Sequence, residues 1–189
     1  TYFPHIVQGP IGRYGKFRKQ FDPKKGVELN TQNLAFGAEL VIWGLFKKLV
    51  IADRLSPFVG TFFDEPSKYS GLVMVIAAVL YSVQIYADFS GCIDIVSGIS
   101  EMLGIKLPKN FNHPYFSLTI PEFWRRWHIS LGEWFKDFVY FPVSTSEPVK
   151  KLRKAFKKRG YKKAELLAAS TVPTAVVWLI TGLWHVASP

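Results

Sequence analysis

The chain has 189 residues, of which 49% are hydrophobic and 16% aromatic, and its formal net charge is +10. So apolar a composition, combined with 24 lysines and arginines, is unusual for a soluble domain and favours a membrane protein. The single cysteine, Cys92, excludes an intrachain disulfide and a cysteine-based zinc site.

Two runs of nineteen residues, 69–87 and 166–184, contain no charged side chain. About 20 helical residues are needed to cross a hydrocarbon core of about 30 Å. We predict a membrane helix in each run and a third in the apolar segment 33–52. The alternative is a set of buried helices in a large soluble protein, which the length of the runs disfavours.

Lysine and arginine are concentrated in residues 150–163, where they occupy nine of fourteen positions and no acid is present. Nucleic-acid binding is one interpretation of such a run. Its place directly before an apolar run favours a cytoplasmic loop that sets membrane orientation and attracts anionic membrane lipids. We therefore predict a basic cytoplasmic loop at 150–163 and no nucleic-acid partner.

The chain starts with Thr1 rather than Met, and no apolar leader is visible near that end. We interpret residues 1–189 as a single membrane domain that is an internal part of a longer protein. Asp88-Phe89-Ser90-Gly91 follows the first apolar run, 69–87, and is predicted to end its helix.

The segment 120–140 is predicted to form an amphipathic helix. Thr119 and Glu122 have the spacing of a capping box, with Pro121 in the first turn. Aromatic residues then recur at steps of three and four and place His128 on the apolar stripe. A histidine on such a stripe is more often a packing residue than a catalyst, so both interpretations stay open.

A tryptophan directly precedes a histidine at Trp127-His128 and again at Trp184-His185, where the second apolar run ends. An ionisable residue at membrane depth is a candidate for a functional site. Imidazole accepts and returns a proton near neutral pH, as a general base acting on a hydroxyl must.

Short motifs occur in a specific order along nearly the whole chain. They are Phe3-Pro4, Gln8-Gly9-Pro10-Ile11, Arg13-Tyr14, Gly44-Leu45-Phe46-Lys47-Lys48, Ala52-Asp53, Tyr86, Asp88-Phe89-Ser90-Gly91, Asp94, Pro108, Asn110-Phe111-Asn112, Pro114-Tyr115, Glu122 to Leu131, Trp134-Phe135, Asp137 and Gly182-Leu183-Trp184-His185. With this ordered set the chain resembles the membrane-bound O-acyltransferase family. The resemblance is to its bacterial branch of alginate O-acetylation and teichoic acid D-alanylation membrane proteins.

The resemblance implies an all-α, polytopic membrane fold shaped as a funnel, in the bacterial plasma membrane, with a tunnel for the acyl group. His185 matches the family's catalytic histidine, and His128 matches its second polar position. Further residues of the motifs are expected to line the tunnel or contact substrate: Trp124, Arg125, Arg126, Trp127, Trp184, Asp88 and Asn112. No metal and no bound cofactor are expected.

The expected reaction moves an acyl group, with acetyl preferred, from a cytoplasmic thioester to a hydroxyl of a cell-surface polysaccharide or of an acyl-accepting export partner. The donor is acyl-CoA or an acyl-carrier thioester. One alternative is D-alanyl transfer to teichoic acid. A second is a non-catalytic membrane scaffold or transport channel, which Val186 favours because this branch usually has glycine after the histidine.

Overall fold

The computed structural model describes residues 9–20 and 30–186, which form helices and connecting segments with no β-strand among them. The predicted all-α class is thereby confirmed. The motif residues Phe3, Pro4 and Gln8 lie outside the described residues. The chain divides into two compact units, Thr1–His128 and Ile129–Pro189, which are treated separately.

The first unit is built on a long pair of antiparallel helical segments. After the short helix α1 (Tyr14–Arg18), the first segment comprises α2 (Thr31–Leu45), a π-helix (Phe46–Ala52) and α3 (Asp53–Asp64). The second segment is α4 (Gly71–Met102). The helix predicted at 33–52 thus begins at Thr31, and the helical conformation continues beyond it to Asp64. Asn30 starts α2, because its side-chain oxygen accepts from the backbone N–H of Gln32 at 2.9 Å.

Four glycines bring the backbones of α2 and α4 into contact. A Cβ on Gly37 would lie 2.5 Å from the carbonyl oxygen of Gly98, and one on Gly44 would lie 2.6 Å from that of Gly91. No real Cβ approaches a backbone oxygen so closely, so these positions require glycine. Small residues allow membrane helices to pack at short range in this way.

Helix α4 does not end at Asp88, contrary to the sequence prediction. The residues Asp88 to Gly91 lie inside it, and the helix continues to Met102. Lysines of the neighbouring π-helix neutralise the acids of this segment. Lys48 Nζ lies 2.7 Å from an Asp88 carboxylate oxygen, and Lys47 forms an ion pair with Asp94. Because these charges are paired across the helix contact, they do not require a helix end.

Among the described residues, two helices are long and apolar enough to cross a membrane. They are α4 and the part Lys162–Leu183 of the last helix, α9 (Lys162–Val186). In each, only 11% of the most apolar window is buried. A core helix of a soluble protein would be mostly buried, so this exposure favours lipid-facing surfaces over the soluble alternative.

The second unit contains α6 (Ile129–Phe135), a second π-helix (Lys136–Tyr140), α7 (Phe141–Ser144), α8 (Glu147–Lys158) and α9 (Lys162–Val186). Helix α8 covers most of the predicted basic loop at 150–163, so this segment is mainly helical rather than a loop, and its cytoplasmic location stays a prediction. Lysine and arginine are good helix formers, and the apolar residues Val149, Leu152 and Phe156 share one face. Gly160, at φ +76°, makes the turn between α8 and α9.

Candidate functional site

A capping box starts α5 (Ile120–Arg126), as predicted from the sequence. The backbone N–H of Glu122 donates to Thr119 Oγ1 at 3.3 Å, and the Glu122 carboxylate accepts from the backbone N–H of Leu118 at 3.0 Å. The same carboxylate forms a 2.5 Å ion pair with Arg126. The Leu118 N–H, followed by the charge of Arg126, lowers the pKa of Glu122 below its ordinary value.

The predicted helix 120–140 is interrupted at Trp127 and His128. Helix α5 ends at Arg126, Trp127 is extended with φ −103° and ψ 127°, and α6 begins at Ile129. His128 adopts φ 45°, in the left-handed region that residues other than glycine rarely occupy. Such conformations are costly and are concentrated at functional sites. The break therefore marks His128 as a residue whose direction the fold determines.

A polar neighbour and an aromatic neighbour contact the imidazole of His128. Its Nδ1 lies 3.1 Å from Oδ1 of Asn110. Asn110 is only 1% exposed and is the largest of the fully buried side chains in the described residues. The ring of Phe89, from α4, meets the imidazole edge to face with the centroids 4.7 Å apart. Two elements distant in sequence thus restrain one ring.

An aromatic cluster surrounds Trp127, next to His128. Trp127 stacks on Phe123 with the centroids 5.6 Å apart and contacts Phe111 at 5.1 Å, Tyr115 at 6.2 Å and Tyr86 of α4 at 6.1 Å. These contacts join α4 and α5 to the extended segment between them. Trp127 is thereby the centre of a rigid support beside His128.

Tyr115 connects this cluster to the backbone of α4. Its hydroxyl donates to the carbonyl oxygen of Ser82 at 2.6 Å. Burial, and to a lesser extent the neighbouring Tyr86, raises the pKa of Tyr115 above its ordinary value, so the hydroxyl stays a donor at physiological pH. An open pocket of about 370 Å³ adjoins Tyr115 and Phe123. Its lining is Pro114, Tyr115, Ser117, Leu118, Thr119, Ile120 and Phe123.

The other residues of the first unit that were predicted to line a tunnel differ in their exposure and in their partners. Trp124 is 44% exposed, Arg125 is exposed on α5, and Asp88 is paired with Lys48. Asn112 donates its backbone N–H to the carbonyl oxygen of Arg126 at 2.9 Å. Its side-chain oxygen accepts from Lys109 at 3.1 Å. The structure therefore brings together Asn112, Arg126, Trp127 and His128, with Asp88 beside Phe89 on α4.

His185 and Trp184 belong to the second unit, in the last turn of α9. The side chain of His185 is exposed within that unit, and the side chain of Trp184 lies outside what the structure describes. The two candidate catalytic histidines thus occupy different units of the chain. In the described ranges, no group of three or more His, Cys, Asp or Glu side chains is arranged to hold a metal ion.

Sequence reasoning missed two residues of the site, Asn110 and Phe89. Both lie in motifs that carried the resemblance, but Asn112 and Asp88 were selected instead. The sequence contained only a weak indication of this choice. In Asn110-Phe111-Asn112, either asparagine could be the one that faces the interior, and the spacing of the two residues does not say which. Here Asn110 is buried and Asn112 is exposed.

Comparison with known proteins places these features in a family. The sequence profile of the membrane-bound O-acyltransferase family matches residues 1–156. The chain is 37% identical to a peptidoglycan O-acetyltransferase of Helicobacter pylori over 98% of its length. It is 38% identical to a probable alginate O-acetylase AlgI of Azotobacter vinelandii over 75% of its length, and 29% identical to a teichoic acid D-alanyltransferase of Bacillus subtilis over 100% of its length.

The chain spans 32%, 28% and 45%, respectively, of the length of these three relatives. The family profile covers the residues that build the His128 site, and the alignment with the Bacillus subtilis protein extends through His185. The two long apolar helices agree with a location in a membrane. The chain therefore belongs to the membrane-bound O-acyltransferase family.

Proposed function

We propose that the chain is part of an O-acyltransferase of the bacterial plasma membrane. The enzyme moves an acyl group from a cytoplasmic thioester, acyl-CoA or an acyl carrier, to a hydroxyl of a cell-surface polysaccharide or its export partner. The observation that carries the proposal is the restrained His128. A buried asparagine and a ring of α4 hold a strained histidine within the motifs of a family named for acyl transfer.

In the proposed mechanism, the neutral imidazole of His185 removes the proton of the acceptor hydroxyl as its oxygen attacks the thioester carbonyl. A positioned general base contributes about 10² to 10⁴-fold to such a step. The thiol leaves with a proton, and the ester forms directly on the acceptor. His128 orients a substrate.

The lysines of α8 support the proposed orientation. Lys150, Lys151, Lys154, Lys157 and Lys158 are all exposed, whereas Val149 is 3% exposed and Arg153 lies 3.7 Å from Glu165 of α9. The helix thus packs on α9 and leaves a lysine-rich face outward. Such a face suits the anionic headgroups of the cytoplasmic leaflet. The thioester donor then enters from the side on which α8 lies.

Acetyl is the proposed acyl group, because two of the three relatives described above are named for O-acetylation. D-alanyl transfer is the second candidate, since the Bacillus subtilis relative is named a teichoic acid D-alanyltransferase. A non-catalytic scaffold is the remaining alternative, which Val186 favours.

The test is mass spectrometry of cell-surface polymers from a strain that lacks the gene. We expect loss of acetyl esters, restoration by the full-length gene, and no restoration by a full-length His185→Ala gene expressed to the same level. Loss of D-alanyl esters would select the second candidate. Full restoration by His185→Ala would support the scaffold and overturn the enzymatic proposal.

A further inference from the structure

The hydrogen bond between Asn110 and His128 determines which ring nitrogen carries the hydrogen. An amide oxygen has lone pairs and no hydrogen, so it can only accept. His128 Nδ1, 3.1 Å from Asn110 Oδ1, must therefore be the donor. In a neutral imidazole only one nitrogen carries hydrogen, and the lone pair is then on Nε2.

Two neighbouring side chains and the backbone conformation of His128 keep the ring in this arrangement. Asn110 is 1% exposed, so its amide has no freedom to turn toward water. Phe89 blocks one side of the imidazole at a centroid distance of 4.7 Å. The left-handed backbone of His128, with φ 45°, sets the direction in which its Cβ leaves the chain. A ring with so little rotational freedom presents Nε2 in one direction.

We propose that Asn110 is a positioning residue that holds His128 in the Nδ1–H tautomer, so that Nε2 accepts a hydrogen bond from a donor group of the bound substrate other than the reacting hydroxyl. The second part rests on the function proposed above. It assigns His128 to orienting a substrate rather than to polarising the thioester carbonyl, because polarisation needs a hydrogen-bond donor.

The tautomer is measured by nitrogen NMR on the full-length protein in lipid bilayers, with histidine labelled with ¹⁵N in the ring. Spectra are recorded at about pH 9, where imidazole with an ordinary pKa of about 6.5 is neutral. The signals of His128 are identified by their disappearance in His128→Gln. We expect a protonated Nδ1 and an unprotonated Nε2. A predominantly protonated Nε2 would overturn the proposal without any variant of Asn110.

Two substitutions of Asn110 separate positioning from structural support. Asn110→Ala removes the acceptor, and we expect the share of the Nδ1–H form relative to the other tautomer to fall on the order of tenfold, the effect of one typical hydrogen bond. Asn110→Asp keeps an oxygen acceptor and should retain that form. Asn112→Ala, which changes the exposed amide two residues away, is the control and should leave the tautomer unchanged. If Asn110→Ala does not fold, the wild type and Asn110→Asp still decide the result.

Acyl-transfer rates of the same proteins test the role of Nε2. We expect Asn110→Asp to retain more turnover than Asn110→Ala at equal amounts of inserted protein. An unchanged tautomer in Asn110→Ala, or loss of the Nδ1–H form in Asn110→Asp, would overturn the positioning role. If the tautomers behave as expected but the wild type transfers no acyl group, the proposed function fails while the assignment of the tautomer stands.

Discussion

The two units present a histidine in different ways. In the first, His128 is restrained by the buried Asn110 and by Phe89 of another helix. In the second, His185 is exposed near the end of α9, a long apolar helix. A restrained ring suits a role that needs a constant direction, such as orienting a substrate. His185 lies in the last turn of α9, and its proposed role depends on the ability of imidazole to take up a proton near neutral pH. Substitutions should separate the two.

The largest expected effect is on catalysis. His185→Ala should lower acyl transfer by about 10² to 10⁴-fold while the protein stays inserted in the membrane, because a general base acts in the transition state. His128→Asn should retain more activity than His185→Asn, since an amide still forms hydrogen bonds but does not take up a proton near neutral pH. Transfer rates normalised to inserted protein measure this. Equal residual activity of the two Asn variants would remove the distinction between the histidines.

The second expectation concerns the orientation of the chain in the membrane, and the labelling that tests it should be either present or absent. In a cysteine-free full-length background, Lys154→Cys in α8 should react with an impermeant thiol reagent only in inside-out vesicles. Ser67→Cys, in the turn before α4, is the counterpart in the first unit and should react in intact cells. Reaction of Lys154→Cys from outside would reverse the topology and the proposed side of donor entry.

The third expectation uses the close helix contact of the first unit. Gly44→Ala places a Cβ 2.6 Å from the Gly91 carbonyl oxygen, and we expect a loss of about 3 kcal/mol in the free energy of unfolding. Gly182→Ala in α9 meets nothing within 4 Å in its unit and should be nearly neutral. Thermal unfolding in detergent compares them. Similar losses in both variants would refute the difference in packing between α2 and α9.

A smaller effect is expected from the ion pairs. Lys47 is 12% exposed and pairs with Asp94. Lys47→Met should lower the free energy of unfolding by about 2 kcal/mol, because it leaves the carboxylate of Asp94 poorly solvated and without its lysine. Lys150, in the exposed pair with Glu147 of α8, is 47% exposed, and Lys150→Met should cost less than about 1 kcal/mol. Adding Asp94→Leu to Lys47→Met should recover part of the loss. No recovery would mean that the uncompensated carboxylate is not the cause.

The smallest effect is a pH dependence at the start of α5. Folding lowers the pKa of Glu122, mainly through the hydrogen bond from the Leu118 N–H. The ionised Glu122 therefore stabilises the folded state fully at pH values above the pKa of this group in the unfolded chain, about 4.3. This stabilisation is lost as the pH falls through the lower pKa that Glu122 has in the folded state. The difference in melting temperature between wild type and Glu122→Gln should therefore shrink on acidification below about pH 4. A difference that grows in acid would contradict the lowered pKa.

The sequence could predict features that depend on neighbouring residues. The capping box at Thr119 and Glu122 joins residues three apart, and both partners are visible in the sequence. The two apolar runs likewise predicted helices long enough to cross a membrane. The lysine-rich segment before α9 was recognised, but its helical state was missed because charge was given more weight than the apolar spacing in α8.

The sequence by itself determined the helical class, the apolar runs and the ordered motifs, because each follows from composition or from local periodicity. Only the tertiary structure decided that α4 continues through Asp88, since the neutralising Lys48 is 40 residues away in the chain. It also decided that Asn110, rather than Asn112, holds His128 across 18 residues. Burial and hydrogen bonding between distant segments select one of several locally equivalent side chains, and no local pattern contains that choice.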